Sequence, residues 1–468
     1  MGKTKILIDV AANLFLANDI NALLVVAPIS LLRNYVEEIK THLLDEITPL
    51  IYLYESKNAN TLKAKRARLQ LFEYYPLYKN ILKIVLINSE ALLSKSAFTF
   101  CKNFLFEHPA LLAVDESGKL LKNIRAKQVK SLIKLSEYSN YHRILTGTPI
   151  TQAPLDLYAQ YEFLSPDILN STTFTAFRAR YAKMKLRQMN GRSFYEIVGY
   201  QNLEELTNRI RPYTYFAEKS DFLDLPPKIY ETRYYELETN QRKLYDDLKK
   251  NSIAYPNLPT NDSDLIEKLF EEDSAIVAPN VLAKLTRLQQ IMSGYAVIND
   301  KLTHLLELDE NPRIACLLSI LESIPKNEKV IIWARYTQEI KDILSILGDQ
   351  AISCFGETKQ AEREFAFSHF KKDAPPSPYK YLIANPKVAG YGITLTGVSN
   401  VVYYSQDFSL EARLQSEDRC HRIGQDKPVI YIDIIAENTI DEHIRKALNR
   451  KAGYSDMMTA LKEEKIND

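Results

Sequence analysis

Short apolar runs that alternate with amphipathic stretches constrain the fold of this chain more than any other feature. In the N-terminal part, buried strands that end in polar or turn residues are predicted by NALLVVAPIS, ILKIVLINSE, ALLAVDES and HRILTGTPI. Stretches with helical spacing separate these runs. Strands that alternate with helices are typical of a parallel sheet covered by helices on both faces. The sequence therefore predicts an α/β fold whose ligands bind at the carboxyl ends of the strands.

The same alternation returns in the C-terminal part, where the strand candidates are KVIIWAR, AISCF, KYLIAN, NVVYYS and VIYIDII. The chain thus contains two predicted parallel-sheet α/β lobes. The segment between them is rich in Tyr, Phe, Arg and Lys, and FTAFRARYAKMKLRQ and ETNQRKLYDDLKK predict that it is mostly helical. Two prolines in LDLPPKIY mark the crossing between the lobes, because proline interrupts regular structure.

The length of the chain agrees with this organisation. Its 468 residues leave room for two to four domains of about 150 residues each. The Pro-rich KKDAPPSPYK is a predicted surface loop of the second lobe. We place the first lobe at residues 1–164, a helical insertion of that lobe at 165–225, a linker and helical insertion of the second lobe at 226–300, and the second lobe at 301–468.

Composition excludes several classes of protein. Lys and Arg number 60 against 59 Asp and Glu, so the net charge of +1 favours no charged partner, although a neutral protein can carry a basic cleft. The four cysteines form no CxxC pair and the seven histidines show no metal-ligand spacing, which fits a reducing cytosol without zinc or disulfide frameworks. No apolar run approaches the roughly 18 residues of a membrane helix. We therefore expect a cytoplasmic protein with no membrane partner.

The chain begins with a tripeptide that resembles the second half of a phosphate-binding loop. Gly2, Lys3 and Thr4 open a helical run, and such a loop needs a lysine for the phosphates and a hydroxyl for Mg²⁺. The full pattern GxxxxGK[ST] is not met, because only Met1 precedes Gly2. Taken alone, the tripeptide could also occur by chance in a chain that binds no phosphate.

An acidic pair ends the strand candidate LLAVDES. The strand delivers Asp115 and Glu116 to the carboxyl edge of the predicted sheet. One carboxylate there can hold Mg²⁺ and the next can orient a water molecule. The alternative is an acidic residue that only caps the following helix.

A third motif, LQSEDRCHRIGQ, lies in the second lobe. Arg419 and Arg422 are three residues apart, so they face the same side of a helical turn. An arginine presented to a transferring phosphoryl group stabilises the charge of its transition state. The alternative is an exposed helix with mixed charges, which the long and specific string and its RIGQ turn disfavour. We expect His421 to shape this motif and not to act as a base.

With these motifs in order, the chain resembles the Swi/Snf-type DNA-dependent ATPases of helicase superfamily two. The resemblance extends over essentially the whole chain, and RxHRxGQ separates this family from most other helicases. FRARYA, GYQNLEEL and LDLPPKIY further resemble compact members from tailed bacteriophages, which would act in the host cytoplasm. The motifs that carry the resemblance are GKT, VVAPISLLRNYVEEI, INSEAL, VDES, LTGTPI, KVIIWARYTQEI, AGYGITLT and QSEDRCHRIGQ.

The resemblance implies two RecA-like lobes with helical insertions that close around ATP and Mg²⁺ and couple hydrolysis to movement on DNA. Glu116 would position the attacking water, and Thr146 and Thr148 would couple the nucleotide to the DNA cleft. Thr4 and Asp115 would hold the metal. The implied nucleotide ligands are Gly2, Lys3, Thr4, Asp115, Gly392 and Gln425, and the implied catalytic residues are Glu116, Gln415, Arg419 and Arg422.

The implied partner is double-stranded DNA, gripped mainly through its phosphates and without sequence readout. KAKRAR at residues 63–68 is a weaker candidate for DNA contact, because such charge runs are usually a solvated helix face. The tyrosines of the middle segment and Trp333 are predicted to be mostly core. The candidate DNA-binding residues are Pro28, Arg33, Asn88, Lys122, Asn123, Thr394 and Thr396.

The chain departs from the family pattern at three points. The segment that recognises adenine lies upstream of the phosphate-binding loop in the family, so we expect either an earlier true start or a second chain that supplies it. Gly118 stands where the family usually has His or a polar residue. The sequence therefore does not show how the acidic motif would be coupled to LTGTPI. Thr151 and Gln152 replace the usual Gln and Asn.

Two alternatives to a duplex-DNA translocase stay open. The first is an RNA or single-strand helicase of the same superfamily, which the RIGQ ending disfavours because those families usually end this motif in Gly-Arg. The second is an ATPase-deficient DNA-binding fragment or subunit. The incomplete phosphate-binding loop favours that second alternative, whereas the presence of every other predicted catalytic residue argues against it.

Overall fold

The computed structural model describes residues 2–73, 80–189, 192–217, 223–251, 279–298, 301–387 and 393–455. Contacts within the chain divide it into two compact units. Lobe one comprises the described residues up to Lys183 together with Gly199–Ala217. Lobe two comprises Met184–Val198 and the described residues of Glu218–Gly453.

Lobe one is built on a sheet of five parallel strands in the order β2-β3-β1-β4-β5. The strands are β1 (Ala22–Val26), β2 (Thr48–Leu53), β3 (Ile81–Ile87), β4 (Ala110–Asp115) and β5 (Tyr141–Leu145). The four strands predicted from sequence are confirmed. The sequence did not reveal β2, because this edge strand contains Pro49 and only Tyr52 in it is fully buried.

Helices cover both faces of this sheet, as predicted. One face packs on a cluster that includes Leu7, Ile8 and Tyr35, and the other packs on a cluster that includes Phe104 and Leu132. The helices are α1 (Lys3–Leu16), α2 (Ile29–His42), α3 (Leu62–Leu71), α4 (Lys95–Glu107), α5 (Ser117–Leu120), α6 (Lys127–Ser136), α7 (Leu157–Leu164), α8 (Phe174–Tyr181) and α9 (Leu203–Ile210), with 3₁₀ turns at Ser89–Leu93, Pro154–Asp156 and Arg211–Tyr213.

The middle segment corrects one prediction. FTAFRARYAKMKLRQ is not helical throughout, because α8 ends at Tyr181 and a strand, β6 (Ala182–Met189), follows at once. β6 forms a two-stranded sheet with β7 (Arg192–Tyr200). Charged and apolar residues alternate in AKMKLRQM with the period of two that is typical of a strand. That local alternation outweighs the helical pattern of the residues before it.

Lobe two contains a sheet of six parallel strands in the order β12-β13-β11-β14-β15-β8. Its strands are β8 (Lys228–Tyr235), β11 (Val330–Trp333), β12 (Ala351–Cys354), β13 (Tyr381–Ala384), β14 (Asn400–Tyr403) and β15 (Val429–Ala436). The five predicted strands are confirmed, and Trp333 is fully buried among them. β8 was not predicted, because this edge strand leaves most of its side chains partly or fully exposed.

Helices and one antiparallel hairpin complete lobe two. ETNQRKLYDDLKK forms a helix, as predicted. Among the helices of the described ranges, none is both long and apolar enough to span a membrane. The helices are α10 (Thr239–Asn251), α11 (Pro279–Met292), α12 (Pro312–Ser323), α13 (Thr337–Leu347), α14 (Gln360–Ser368), α15 (Leu410–Cys420) and α16 (Ile440–Ser455), the hairpin is β9 (Tyr295–Ile298) with β10 (Lys301–His304), and 3₁₀ turns lie at Leu308–Glu310 and Gly348–Gln350.

A buried histidine makes lobe one sensitive to acid. His108 is 7% exposed, lies against the rings of Phe72 and Phe104, and donates from Nε2 to the carbonyl oxygen of Leu71 at 3.0 Å. Burial, and then the nearby Lys83 cation, lower the pKa of His108 from 6.5 to about 4. The unfolded chain therefore binds a proton at a higher pH than the folded chain does. Lobe one loses stability as the pH falls from about 6.5 towards about 4.

We expect His108→Gln to reduce this acid sensitivity, because an amide can still donate to the Leu71 carbonyl but does not titrate. The measurement is urea unfolding followed by circular dichroism at about pH 7 and about pH 4.5. The unfolding midpoint should fall less in the variant than in the wild type between these two conditions. An equal fall in both proteins would contradict the assignment of the acid loss to His108.

Candidate functional site

The acidic turn at the end of β4 is the centre of the candidate site in lobe one. Glu116 has φ 52° and ψ 45°, a left-handed conformation that non-glycine residues adopt mainly where function or packing requires it. Asp115 is 4% exposed, and its Oδ1 accepts the Glu116 backbone N–H at 2.8 Å. α5 begins without a side-chain cap hydrogen bond from Glu116. The capping alternative is therefore not realised at Glu116, and that carboxylate is available for chemistry.

The GKT tripeptide lies beside this turn. Gly2 has φ 66° and precedes the first turn of α1. Lys3 Nζ lies 3.2 Å from Glu116 Oε1, with both side chains partly buried. The first backbone N–H groups of a helix lack intrahelical partners and favour anions. The structure thus brings a lysine, a helix N-terminus and the acidic turn to one place, which suits a phosphate and its attacking water.

Tyr35 is part of this cluster although the sequence analysis gave it no role. Its hydroxyl donates to Asp115 Oδ2 at 2.9 Å and lies beside the Thr4 side chain. Burial, and then the Asp115 carboxylate, raise the pKa of Tyr35 far above its usual range, so the hydroxyl stays a donor. The available signal was the spacing of Leu32, Tyr35 and Ile39, which form the buried face of α2.

The residues present fit a bound Mg²⁺ ion. Tyr35 lies beside Thr4 and Asp115, the two predicted metal ligands, and both ligands offer oxygen, the donor that Mg²⁺ prefers. Across the described ranges, no group of three or more His, Cys, Asp or Glu side chains is arranged to hold a metal. An ion here would therefore take most of its ligands from water and phosphate, as Mg²⁺ usually does.

The acidic turn also packs directly on the predicted coupling segment. A Cβ atom on Gly118 would overlap the carbonyl oxygen of Thr148 and come within 3.0 Å of Thr146 Oγ1. Within that segment, the Thr148 N–H donates to Thr146 Oγ1 at 3.1 Å. Only glycine allows this approach, which explains why a larger residue is absent at this position.

In lobe two, the arginine motif packs on the segment that follows residue 392. The backbone oxygen of Arg419 accepts the Leu395 N–H at 2.9 Å. Nη1 of Arg419 and Nη1 of Arg422 lie 3.5 and 3.4 Å from the Ile393 carbonyl oxygen. Gly424, with φ 97°, turns the chain just after the motif. Both predicted arginines thus lie beside the same backbone carbonyl of lobe two.

The two glutamines of the motif have different surroundings. Gln425 is 6% exposed, and its amide donates to the Val398 carbonyl at 2.9 Å and accepts the Lys427 N–H at 3.0 Å. That side chain holds the turn in place. Gln415 donates to Glu411 at 3.1 Å and stays partly exposed. Nucleotide contact by either glutamine stays a prediction, and Gly392 lies outside the described residues.

A buried ion cluster fixes α15 to the sheet of lobe two. Glu417 is 2% exposed and accepts from Lys228 Nζ at 2.8 Å, Tyr230 Oη at 2.8 Å and Arg413 Nε at 2.7 Å. Arg413 also donates to Asp433 Oδ1 at 2.6 Å. Burial alone would raise the pKa of Glu417, but the Lys228 and Arg413 cations lower it below its usual value. The carboxylate therefore stays ionised and ties α15 to β8 and β15.

His421 adds a further contact beside this cluster. Its Nε2 lies 2.8 Å from the Pro226 carbonyl oxygen, just before β8. The histidine thus connects the end of α15 to the start of β8. This contact agrees with the expectation that His421 shapes the motif.

The candidate DNA-binding residues of lobe one follow the carboxyl ends of its strands. Pro28 comes after β1 and precedes α2, and Asn88 comes after β3. Lys122 and Asn123 follow α5, which itself follows β4. The carboxyl ends of parallel strands meet at one edge of a sheet, so Pro28 and Asn88 share the edge that carries the acidic turn.

Their exposure differs. The side chain of Arg33 is 86% exposed, whereas Asn88 is 8% exposed and donates to Glu90 at 2.8 Å. In lobe two, Thr394 is partly exposed and Thr396 is buried. Contact with DNA stays a prediction for all of them.

The KAKRAR run is only partly a solvated helix face. An open groove of about 790 Å³ lies between α3 and α4. At this groove, the guanidinium carbon of Arg68 lies 5.7 Å from the centre of the Phe100 ring. The run therefore contributes to a concave surface with both cationic and aromatic side chains. The groove is lined by Lys65, Arg68, Leu69, Phe72, Lys95, Ser96, Thr99, Phe100 and Asn103.

Comparison with protein families identifies the class of this protein. Residues 1–295 match the SNF2-related domain, and residues 312–424 match the helicase conserved C-terminal domain. The first match covers more than half of the chain. The chain belongs to the SNF2-related family, and its predicted place among the Swi/Snf-type proteins of helicase superfamily two is confirmed.

The individual relatives share about a quarter of their aligned residues with this chain. The chain is 26% identical over 401 residues to the TATA-binding protein-associated factor MOT1 of Saccharomyces cerevisiae, covering 76% of this chain and 20% of MOT1. It is 26% identical over 432 residues to an ATP-dependent helicase of Mycoplasma genitalium, covering 92% of this chain and 36% of that helicase. The chain thus spans well under half the length of these relatives.

Among solved structures, the chain is similar to the Sulfolobus solfataricus SWI2/SNF2 ATPase core in complex with dsDNA. The sequence identity is 22% and the TM-score is 0.38. The likeness covers 98% of this chain and 86% of that one.

Proposed function

We propose that this chain is a DNA-dependent ATPase that couples ATP hydrolysis to movement on duplex DNA. The observation that supports it most is the cluster in lobe one. There, Lys3 lies beside Glu116, while Tyr35 donates to Asp115 and lies beside Thr4. A cation, two oxygen ligands and a carboxylate that can orient water are the parts that phosphoryl transfer to water requires. A protein that only binds DNA has no physical need for this arrangement.

Each residue of the cluster has a distinct task in this proposal. Lys3 exchanges its contact with Glu116 for the phosphates of ATP, which leaves Glu116 free to orient the attacking water. Thr4 and Asp115 would hold Mg²⁺, which neutralises charge on the phosphates when it is bound. Tyr35 keeps the Asp115 carboxylate in one orientation through its hydrogen bond.

Lobe two supplies the arginines. We infer from the order of the family motifs that Arg419 and Arg422 stabilise the charge that develops on the transferring phosphoryl group. Gln415, Gln425 and Gly392 would support them. Hydrolysis then requires both lobes, and a cycle of binding and release can drive movement.

Duplex DNA is the proposed partner, held through its phosphates. Supporting this, Pro28 and Asn88 share the sheet edge that carries the acidic turn. Binding of this kind weakens steeply as salt rises, because each phosphate contact releases counterions. Thr394 and Thr396 would add contacts from lobe two.

The test is steady-state ATP hydrolysis with and without duplex DNA. We expect DNA to stimulate turnover, and Lys3→Ala to lower it by about 100-fold or more because an uncompensated phosphate charge remains. Lys5→Ala is the matched control, since Lys5 lies on the same helix but is exposed and pairs with Asp9 at 2.6 Å. Lys5→Ala should hydrolyse ATP like the wild type.

Three outcomes would contradict the proposal. Wild-type turnover that duplex DNA does not raise would remove the DNA dependence. Stronger stimulation by RNA or single-stranded DNA would favour the related helicase function. Tight DNA binding without turnover would identify an ATPase-deficient DNA-binding protein.

A further inference from the structure

A buried glutamine connects the acidic turn to the coupling segment. Gln160 on α7 is 1% exposed. Its Oε1 accepts the Ser117 hydroxyl at 2.9 Å, and its Nε2 donates to the carbonyl oxygens of Pro149 at 2.8 Å and Asp156 at 3.0 Å. Ser117 directly follows Glu116, and Pro149 directly follows Thr148. One side chain thus bonds to the neighbours of both functional segments.

The orientation of this amide is determined by its partners. Carbonyl oxygens only accept hydrogen bonds, so the nitrogen of Gln160 must face Pro149 and Asp156. The oxygen must then face Ser117, whose hydroxyl donates. Every strong hydrogen-bonding atom of the amide has a partner, and no rotated amide would satisfy the same groups. A fully satisfied buried network of this kind holds a single geometry.

The chain beyond Pro149 is held by a neighbouring carboxylate. Asp156 is 1% exposed, and its Oδ2 accepts the backbone N–H groups of Thr151, Gln152 and Ala153 at 2.9, 2.7 and 3.3 Å. Because Gln160 donates to the backbone oxygen of Asp156, the two side chains form one support. Together they hold residues 149–153, which directly follow the coupling segment.

We propose that Gln160 is a positioning residue, which makes the acidic turn and the Thr146–Thr148 segment move as one body. The inference rests on the proposed function, because it assigns a path between DNA contact and Glu116. A shift of the coupling segment reaches Ser117 through Gln160 and, in parallel, reaches Gly118 through its direct contact with Thr148. Glu116 precedes both residues, so its carboxylate moves with them.

This link compensates for the departure at residue 118. Glycine at that position has no side chain with which to contact the coupling segment, so the preceding Ser117 makes the polar connection through Gln160. A longer side chain at residue 118 could have contacted the coupling segment by itself. Here the close contact of Gly118 with the Thr148 backbone and the buried Gln160 amide make the connection together. Both parts are needed, since the backbone contact resists compression and the hydrogen bonds resist separation.

The first test measures ATP turnover in Gln160→Leu. We expect turnover with saturating duplex DNA to fall by about tenfold or more, a typical size for coupling between sites. Turnover without DNA should fall less, so that the ratio of the two rates declines. The KM for ATP should change little, because Gln160 does not touch the predicted nucleotide ligands. A variant that merely folded less well would lose both rates equally and keep the ratio.

The matched control is Tyr161→Phe. Tyr161 lies next to Gln160 on the same helix, is 4% exposed, and bonds through its hydroxyl to Thr214 at 2.5 Å. The control therefore also loses one hydrogen bond of α7, but none that reaches the acidic turn. It should keep the wild-type ratio of DNA-stimulated to basal turnover. An equal decline of the ratio in both variants would overturn the proposal.

The second test needs no enzymatic activity. Ser117→Ala removes only the hydroxyl that bonds to Gln160. We expect hydrogen exchange at the amides of residues 151–153 to become about tenfold faster, because their support loosens, while Tyr161→Phe leaves these amides unchanged. Unchanged exchange in Ser117→Ala would overturn the link.

The two tests separate failure of the link from failure of the proposed function. A wild type without DNA-stimulated turnover would refute the proposed function, and the exchange measurement would still decide whether the link exists. Suppose instead that duplex DNA stimulates turnover of the wild type, and that Gln160→Leu keeps the wild-type ratio of DNA-stimulated to basal turnover. This result would refute the positioning role of Gln160 and leave the ATPase assignment intact. Should Gln160→Leu not fold, Ser117→Ala provides the ratio instead.

Discussion

Arg422→Ala lowers DNA-stimulated ATP turnover by about 10³- to 10⁵-fold, the range found where such an arginine has been isolated. The physical reason is that the guanidinium meets charge which appears only in the transition state, so its loss raises the barrier without weakening ground-state binding. We expect the affinity for duplex DNA to change little, because that affinity comes from many phosphate contacts.

The measurement combines turnover with a DNA-binding titration of the same preparation. Arg422→Lys tests whether charge alone is enough, since lysine lacks the planar fork that matches a phosphoryl group. Arg233→Ala serves as the matched control, because the side chain of Arg233 in the same lobe is 53% exposed and pairs with Glu231 at 3.0 Å. Normal turnover in Arg422→Ala would refute the assignment of this arginine to catalysis.

Most of the fold could be predicted because each lobe is a parallel sheet. Parallel strands are buried on both faces, so β1, β4 and β11 appear in the sequence as continuous apolar runs. The edge strands β2 and β8 were missed because partial exposure replaces the apolar run with a mixed pattern. Pairing at an edge is decided by tertiary contacts that a local pattern does not contain.

Some residues of the candidate site could be predicted from the sequence, and others could not. Lys3, Asp115 and Glu116 could be predicted as site residues because the chemistry of phosphoryl transfer dictates residue type and order along the chain. Tyr35 and Gln160 were missed, since each contacts a residue far away in sequence, Asp115 for Tyr35 and Ser117 for Gln160. A buried tyrosine or glutamine has the same local sequence signal whether or not it supports a catalytic group. Only the fold shows which partner it meets.

The second large effect concerns the stability of lobe two. We expect Glu417→Ala to lower the free energy of unfolding by about 3–5 kcal/mol, the usual cost of leaving a buried charge without its partner. Arg413 would keep Asp433, but the Arg413 and Lys228 cations would remain beside each other without the carboxylate that both contact. Turnover should fall as well, because α15 carries Arg419 and leads into Arg422.

The sign of the pH effect follows from the same cluster. The pKa of Glu417 is lower in the folded chain than in the unfolded chain, where it is about 4.3. The carboxylate therefore contributes stability above that pH, and this contribution is lost as the pH falls. Glu417→Gln keeps the shape of the side chain but not its charge. We expect this variant to be less stable at neutral pH and less sensitive to acid than the wild type.

Trp333 makes lobe two directly observable. It is the single tryptophan of the chain and is fully buried in the sheet of lobe two, so its fluorescence during urea unfolding reports that lobe. The control is Lys372→Met, which removes an ion pair with Asp426 at the surface. Exposed pairs are screened by solvent and contribute little, so this variant should unfold like the wild type. If Glu417→Ala also unfolded like the wild type, the cluster would not be what holds α15 to its sheet. The placement of the arginines would then depend on the apolar contacts of α15 alone.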